Sequence, residues 1–239
     1  MSFADDITWH FLKKYLPQNK SAKLLDAGGG EGFWAQKLIE LGYRNITLTD
    51  ISQGMLNEAA KRFAHLKIKH HVALIKSDIA DMKELGTESF DYVFSQYDAV
   101  SYCMKPACAI KEMARVARKG AHVIACMDTK FRRVPELIEA GMVIEAEKLL
   151  RTGVSYDFDF PQYNLTWEEL TSYFMQAGLT VLEVIGAPVF MHQVNHRILR
   201  KLEAKKTIRQ KLLRIELAYC TDRSLVNFAG HIQIVGQKP

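Results

Sequence analysis

The chain has 239 residues, of which 48% are hydrophobic and 25% charged, with a formal net charge of +5. Domains usually run to about 100–200 residues, so residues 1–239 are expected to form one domain able to bury a full core. No apolar run approaches the roughly 18 residues a bilayer span needs, and the four cysteines, Cys103, Cys108, Cys126 and Cys220, form no CxxC pair, which argues against a membrane helix, a disulfide framework and a zinc ribbon. The opening MSFADDITWHFLKK lacks the basic and then apolar regions of a signal peptide, and a cytoplasmic location is expected.

In chain order, the spacing of Ile7, Phe11, Leu12, Tyr15 and Leu16 predicts a lead-in helix within residues 1–20, with Asp5 and Asp6 at its N-terminal end and Pro17 at its stop. An apolar strand at 23–27, a helix at 32–41, the strand NITLTD ending at Asp50 and the helix QGMLNEAAKRFAHL follow. Next come the strand VALIKSD ending near Asp78, a brief helical turn, the strand FDYVFSQ, the helix KPACAIKEMARVAR and the strand AHVIACMD. Strands that alternate with helices imply right-handed crossovers and a parallel sheet covered on both faces, an α/β doubly wound, Rossmann-like core. After Asp128 the rhythm breaks into an insertion at 129–166, helical first and then an aromatic, acidic loop VSYDFDFPQYN. Its position after the fifth strand lets it cap the C-terminal edge of the sheet, where such folds bind ligands. The helix TWEELTSYFMQAG, the strand TVLEVIG, a basic helical insertion within 192–220 and the strand HIQIVGQKP complete the chain.

The stretch LLDAGGGEGF places Gly28, Gly30 and Gly32 in a turn between a strand and a helix, where a backbone without Cβ atoms admits a ligand closely. The spacing is GxGxG, and Phe33 stands where a dinucleotide fold has its third glycine, which would obstruct a pyrophosphate. Asp50 follows the glycines by about 20 residues at a strand end, the place of a carboxylate that accepts both hydroxyls of a ribose. Asp78 and the backbone N–H of Ile79 suit the edge of an adenine, and Ile51 and Met55 suit its faces. Asp26, closing the first strand, sets a negative charge near the turn and favours a cationic ligand over a pyrophosphate. These residues describe an adenosine without phosphates.

With LLDAGGGEG, LTDIS, KSDI and FDYVFSQYDAV on the page, the sequence resembles the class I S-adenosylmethionine-dependent methyltransferases over residues 23–128 and again in AGHIQIVGQKP. The resemblance implies a seven-stranded sheet with an antiparallel last strand and S-adenosyl-L-methionine as cofactor, leaving S-adenosyl-L-homocysteine. It further implies that Gly28, Gly30 and Gly32 lie against the methionine and ribose, Asp50 holds the ribose, Asp78 and Ile79 hold the adenine, and Gln96 and Tyr97 line the methyl side. A nicotinamide-dependent oxidoreductase and a non-catalytic cofactor-binding module are the competing classes.

Acceptor-side candidates are Tyr97, Asp98 and His192 as catalytic residues, with Tyr102, Tyr156 and His196 as substrate contacts; Asp98 equally suits a cap for the helix beginning near Lys105. His192 and His196 are spaced like two zinc ligands on one helical turn, but the sequence offers no third, and no metal is expected. Residues 197–214 carry eight Lys/Arg against the single acid Glu203, with Ile198, Leu202, Ile208 and Leu212 able to face the core. That helix is either a solvated face or an RNA-binding one. The C-terminal region, LDAGGGEG and PVFMH also resemble bacterial enzymes that methylate the carboxylate of a carboxymethoxy-modified wobble uridine in tRNA. YDAVSYC and SYDFDFPQY depart from those enzymes and look more like relatives acting on small molecules, whose pockets are aromatic with few polar groups. A small-molecule acceptor is therefore the expectation and tRNA the alternative, with oligomeric state left open.

Overall fold

The computed structural model describes residues 2–157 and 159–239. Helix α1 (Phe3–Lys14) opens on a capping box, in which the Ser2 hydroxyl accepts from the Asp5 N–H and the Asp5 carboxylate accepts from the Ser2 N–H. This satisfies two N–H groups that every helix start leaves without a partner. Then come β1 (Leu24–Ala27), α2 (Phe33–Glu40), β2 (Ile46–Asp50), α3 (Gln53–His65), β3 (Val72–Lys76), β4 (Phe90–Ser95), α4 (Ala99–Tyr102), α5 (Pro106–Val116) and β5 (Ala117–Asp128). The insertion holds α6 (Lys130–Glu139), α7 (Val143–Thr152) and the strands β6 (Val154–Asp157) and β7 (Phe160–Tyr163). The chain closes with α8 (Trp167–Gln176), β8 (Thr180–Ala187), α9 (His196–Glu203), α10 (Lys206–Tyr219), α11 (Arg223–Val226) and β9 (His231–Gln237).

The main sheet has seven strands in the order β3-β2-β1-β4-β5-β9-β8. The first five are parallel to their neighbours, and β9 runs antiparallel to both β5 and β8. This is the Rossmann-like arrangement the alternation implies, with the antiparallel last strand of the methyltransferase pattern. All four residues of β1 are buried, because both faces are covered. Successive side chains leave a strand on opposite faces, so Leu25, Val93 and Val123 join one core with Met113 of α5 and Phe174 of α8. Leu24, Tyr92 and Ile124 join the other, with Phe11 of α1, Leu38 of α2 and Phe63 of α3. Strand order reverses between β1 and β4, which opens a crevice at their C-terminal ends, where doubly wound folds bind ligands.

Three segments differ from the sequence reading. The turn after Asp78 holds no helix, only an isolated bridge from Asp78 to Asp81. The aromatic segment VSYDFDFPQYN is no loop: β6 and β7 pair in an antiparallel hairpin. Its buried positions are polar, Ser155, Gln162 and Asn164, and they bond to one another: the Asn164 amide nitrogen donates to the Ser155 hydroxyl at 2.8 Å and the Gln162 amide nitrogen donates to it at 3.3 Å. A strand whose inward face is polar shows no apolar alternation to read. The basic stretch breaks at Ala204 and Lys205 into α9 and α10, and Ile198 is 55% exposed rather than turned to the core. The carboxylate of Glu216 on α10, fully buried, accepts from the N–H groups of Val189, Phe190 and Met191 and pins the chain that leaves β8.

Candidate active site

The crevice holds two adjoining cavities that share Gly28, Gly30, Met55 and Tyr97. The first, about 470 Å³, is lined also by Asp50, Ile51, Ser77, Asp78, Ile79, Ala99, Tyr102 and Cys103. Gly30 sits at φ +54°, where a side chain is strained, and an added Cβ would meet nothing within 4 Å, so the turn is bare toward open space. The Asp50 carboxylate accepts from the Gly30 N–H at 3.0 Å and the Ser52 N–H at 2.8 Å, which ties the glycine turn to the start of α3. Asp78 accepts from the Ala80 N–H at 2.9 Å, fixing its carboxylate at the cavity edge. The second cavity, about 420 Å³, is walled by Phe33, Trp34, Gln96 and Tyr97, with Asp5 of α1 and Glu31 at its rim. Trp34 stacks on Tyr97 with ring centroids 5.6 Å apart. Gln96 is buried, and neither its amide oxygen nor its nitrogen has a hydrogen-bond partner among the described residues. A buried amide left unpaired costs about 1–3 kcal/mol, which a polar ligand in this cavity would relieve.

Of the predicted cofactor residues, Gly28, Gly30, Asp50, Ile51, Met55, Asp78 and Ile79 line the first cavity, and Gln96 the second. Two stand elsewhere. Gly32 is needed for packing: at φ +81°, a Cβ there would come within 2.3 Å of the Phe63 ring. Asp26 lies fully buried beneath the turn and offers no charge to the cavities at neutral pH. Burial, slightly opposed by the Ala35 backbone and reinforced by the field of Asp50, pushes its carboxyl up to about 8.

On the acceptor side, Tyr97 and Asp98 both occupy the left-handed region, at φ +53° and +45°, a cost of order 1–3 kcal/mol each that functional turns commonly carry. Asp98 precedes α4 and caps neither that helix nor the one at Pro106 with its side chain. It meets residues that the sequence reading did not select. The His231 Nε2 lies 3.6 Å from the Asp98 carboxylate and 3.5 Å from that of Asp128, and the Arg132 guanidinium donates to Asp128 at 2.9 Å. Burial pulls the His231 imidazole down, but the hydrogen bonding and field of Asp98, with Asp128, leave it above its ordinary value. Burial and the nearby Asp98 raise Asp128 as well. One ligand atom from each of Asp98, Asp128 and His231 falls within 4.8 Å of the others. Arg132 and His231, whose imidazole these carboxylates hold above its ordinary value, face the two acids, so the group is an ion-pair network. No local motif flags it, because its members come from the turn after β4, the end of β5, the first turn of α6 and the start of β9.

The cap reaches this end of the sheet. The Tyr102 hydroxyl donates to Asp157 at 2.9 Å, and Arg133 donates to the Tyr156 carbonyl at 2.8 Å. The contact with Asp157 and burial, burial foremost, move the Tyr102 phenol upward. The Tyr156 ring itself turns toward Lys148 and a small cavity within the cap, away from both main cavities. His192 lies in a 3-10 turn and lines a separate cavity of about 460 Å³ with Arg132, Glu136 and Phe228. Burial, helped by Arg132, lowers its imidazole. His196 is exposed at the first residue of α9, and Asn195 caps that helix, so the two histidines do not share a helical turn. The structure thus brings Tyr97 and Tyr102 to the cavities and Asp98 beside them, but not His192, Tyr156 or His196.

A family described as a methyltransferase domain matches residues 24–120. The chain is 24% identical to the tRNA 5-carboxymethoxyuridine methyltransferase of Escherichia coli (strain K12), over 98% of this chain and 87% of that protein. It is 35% identical to the malonyl-[acyl-carrier protein] O-methyltransferase of Marinomonas sp. (strain MWYL1), over 52% of this chain and 45% of that one. A Methanosarcina mazei S-adenosylmethionine-dependent methyltransferase structure superposes with a TM-score of 0.67 at 14% identity, covering 95% of this chain and 96% of that one. Among the described residues no helix is long and apolar enough to cross a membrane. Residues 24–120 thus form a methyltransferase domain, the strand order and the glycine turn with its strand-end carboxylates give the chain the fold of the class I S-adenosylmethionine-dependent methyltransferases, and these relatives support S-adenosylmethionine-dependent methyl transfer as its activity.

Proposed function

We propose that the acceptor is a small organic molecule that enters the second cavity, beside the glycine turn. The observation that carries this reading is the aromatic wall of Phe33, Trp34 and Tyr97 around the unpaired Gln96 amide, the mostly apolar, sparsely polar lining that small-molecule sites have. The first cavity suits the nucleoside: Asp50 toward the ribose hydroxyls, Asp78 and the Ile79 backbone toward adenine, Ile51 and Met55 at its faces. When bound, the cofactor supplies a methyl group on a positively charged sulfur. What the protein contributes is position and dryness, and orientation alone is worth up to about 7–11 kcal/mol of a barrier. Tyr97, shared by both cavities and fixed between Trp34 and the strained turn, orients the acceptor at their junction. The Tyr102–Asp157 bond latches the cap hairpin over α4 and keeps water out. Cell extract split into small-molecule, protein and RNA fractions and incubated with the enzyme and methyl-labelled cofactor tests this. Label in the small-molecule fraction is expected; label confined to RNA would overturn it.

A second reading, tRNA, has its own support in the exposed Arg197, Arg200, Lys201, Lys205, Lys206 and Lys211 of α9, α10 and their junction. Helix α10 packs on α1, whose Asp6 pairs with Arg209 and whose Asp5 rims the second cavity. A polyanion on these helices would lie beside the cavity mouth. Each phosphate contact steepens the salt dependence of binding, so retention of tRNA that falls sharply between 50 and 200 mM salt, on the order of 10³-fold or more, would favour this reading.

A further inference from the structure

We propose that Asp98, held in place by His231, takes up a proton from the acceptor, and that the acceptor is accordingly a hydroxyl or an amine rather than a carboxylate or a thiolate. The inference rests on the reading that an acceptor sits beside Tyr97, and it holds for any acceptor delivered there. Asp98 follows Tyr97 in the same left-handed turn and precedes Ala99, so it stands between two residues that line the cavities. The Oδ2 of its carboxylate faces the His231 Nε2 at 3.6 Å, and its Oδ1 is buried without a partner among the described residues. A buried carboxylate oxygen without a donor is a cost that an incoming O–H or N–H removes.

The surrounding charges decide between acceptor classes. The groups facing His231 are Asp98, Asp128 and Arg132, and Tyr102 and Cys126 feel the same two carboxylates. Both cations are engaged: His231 by Asp98 and Asp128, and Arg132 by Asp128 and Glu136. An anionic acceptor would meet the Asp98 carboxylate, while the two cations beside it among the described residues, His231 and Arg132, are already paired with carboxylates, and like charges in a poorly hydrated site repel strongly. A neutral acceptor instead donates to it. In the transfer, the bond from methyl to sulfur breaks with its electron pair left on sulfur. A bond from methyl to acceptor oxygen or nitrogen forms, and the acceptor's proton passes to the Asp98 carboxylate, from which solvent removes it. His231, 3.6 Å away, orients that carboxylate before the transfer. Its role is positioning; Asp98 is the group that meets the acceptor.

The labelled extract supplies the first test, since methyl esters release methanol in mild alkali whereas ethers and N-methyl groups survive. Label that stays on the product is expected; release as methanol, or a thioether product, would overturn the proposal. An extract that takes up no label breaks the acceptor reading itself, and a second measurement then still decides the pairing. Nuclear magnetic resonance titration of His231 should show its midpoint fall in Asp98→Asn, and an unchanged midpoint would overturn the proposal. In turnover assays Asp98→Asn should lower kcat by about 100-fold or more, the usual span of a general base, and His231→Gln by about 10-fold, with affinity for S-adenosylhomocysteine retained in both. A loss confined to KM would mark a merely structural role and overturn the assignment.

Discussion

At the β1–β2–β3 side of the crevice, the groups aimed at the nucleoside, Met55 apart, sit within three residues of their own strand ends: Gly28 and Gly30 after Ala27, Asp50 and Ile51 closing β2, Asp78 and Ile79 after Lys76. At the β5–β9 side, the polar network is assembled from the turn after β4, the end of β5, the first turn of α6 and the start of β9. The first side holds its ligand through backbone shape and carboxylates set by short-range turns. The second holds charge by long-range pairing under an inserted cap. A cofactor common to many enzymes calls for the former, and an acceptor particular to one calls for the latter, because insertions after a strand can vary without disturbing the sheet.

The sharpest way to break this comparison is Asp50→Ala. Its carboxylate is a hydrogen-bond acceptor at charged strength, worth about 1.5–3 kcal/mol for each bond lost, so calorimetric affinity for S-adenosylhomocysteine should fall by roughly 10²–10³-fold. Retained affinity would remove the cofactor side from the β2 end. Glycine changes then separate binding from packing. Gly32→Ala meets the Phe63 ring and an unfavourable φ, a destabilisation of about 2–4 kcal/mol or roughly 5–15 °C in Tm. Gly30→Ala, facing open space, should instead lose ligand affinity with a smaller change in Tm, and equal stability losses would erase the distinction.

Asp26 sharpens the comparison through pH. Its carboxyl titrates near 8 in the folded chain against 3.8 in the unfolded one, so between those values the native state keeps a proton that the unfolded state has released. Stability from this group is therefore complete below about pH 3.8 and declines as pH rises toward 8. Asp26→Asn carries no such proton, and its advantage over the parent should widen from pH 5 to pH 8 by about 4 kcal/mol, or roughly 8–15 °C by thermal denaturation. A gap independent of pH would show the buried acid to be ionised throughout. The smallest effect is expected at the cap: Tyr102→Phe removes one hydrogen bond to Asp157, worth about 0.5–1.5 kcal/mol, and should raise the acceptor KM by about 2–10-fold.

How far the sequence could be read follows the same division. The seven strands, the crossover helices and the glycine turn are visible because each depends on neighbours in the chain: apolar runs, β-branched residues and turn glycines act over a few positions. The hairpin β6–β7 was hidden because its inward residues are Ser155, Gln162 and Asn164, whose polarity is acceptable only once they bond to one another. The helix break at Ala204 left the basic stretch looking continuous, since no proline or glycine marks it. His192 drew attention through its spacing with His196, whereas His231, which starts a strand and has no neighbour of interest in the sequence, did not.

By itself the sequence determined the doubly wound core, the bare turn and the strand-end carboxylates, because local periodicity and backbone chemistry specify them before any distant contact forms. Tertiary structure alone decided that Asp26 is buried and neutral, that Gly32 serves Phe63 rather than a ligand, and that Asp98, Asp128, Arg132 and His231 meet. Burial and charge pairing depend on which strands become neighbours, and in this sheet β9 lies beside β5 only because the last strand inserts antiparallel between β5 and β8.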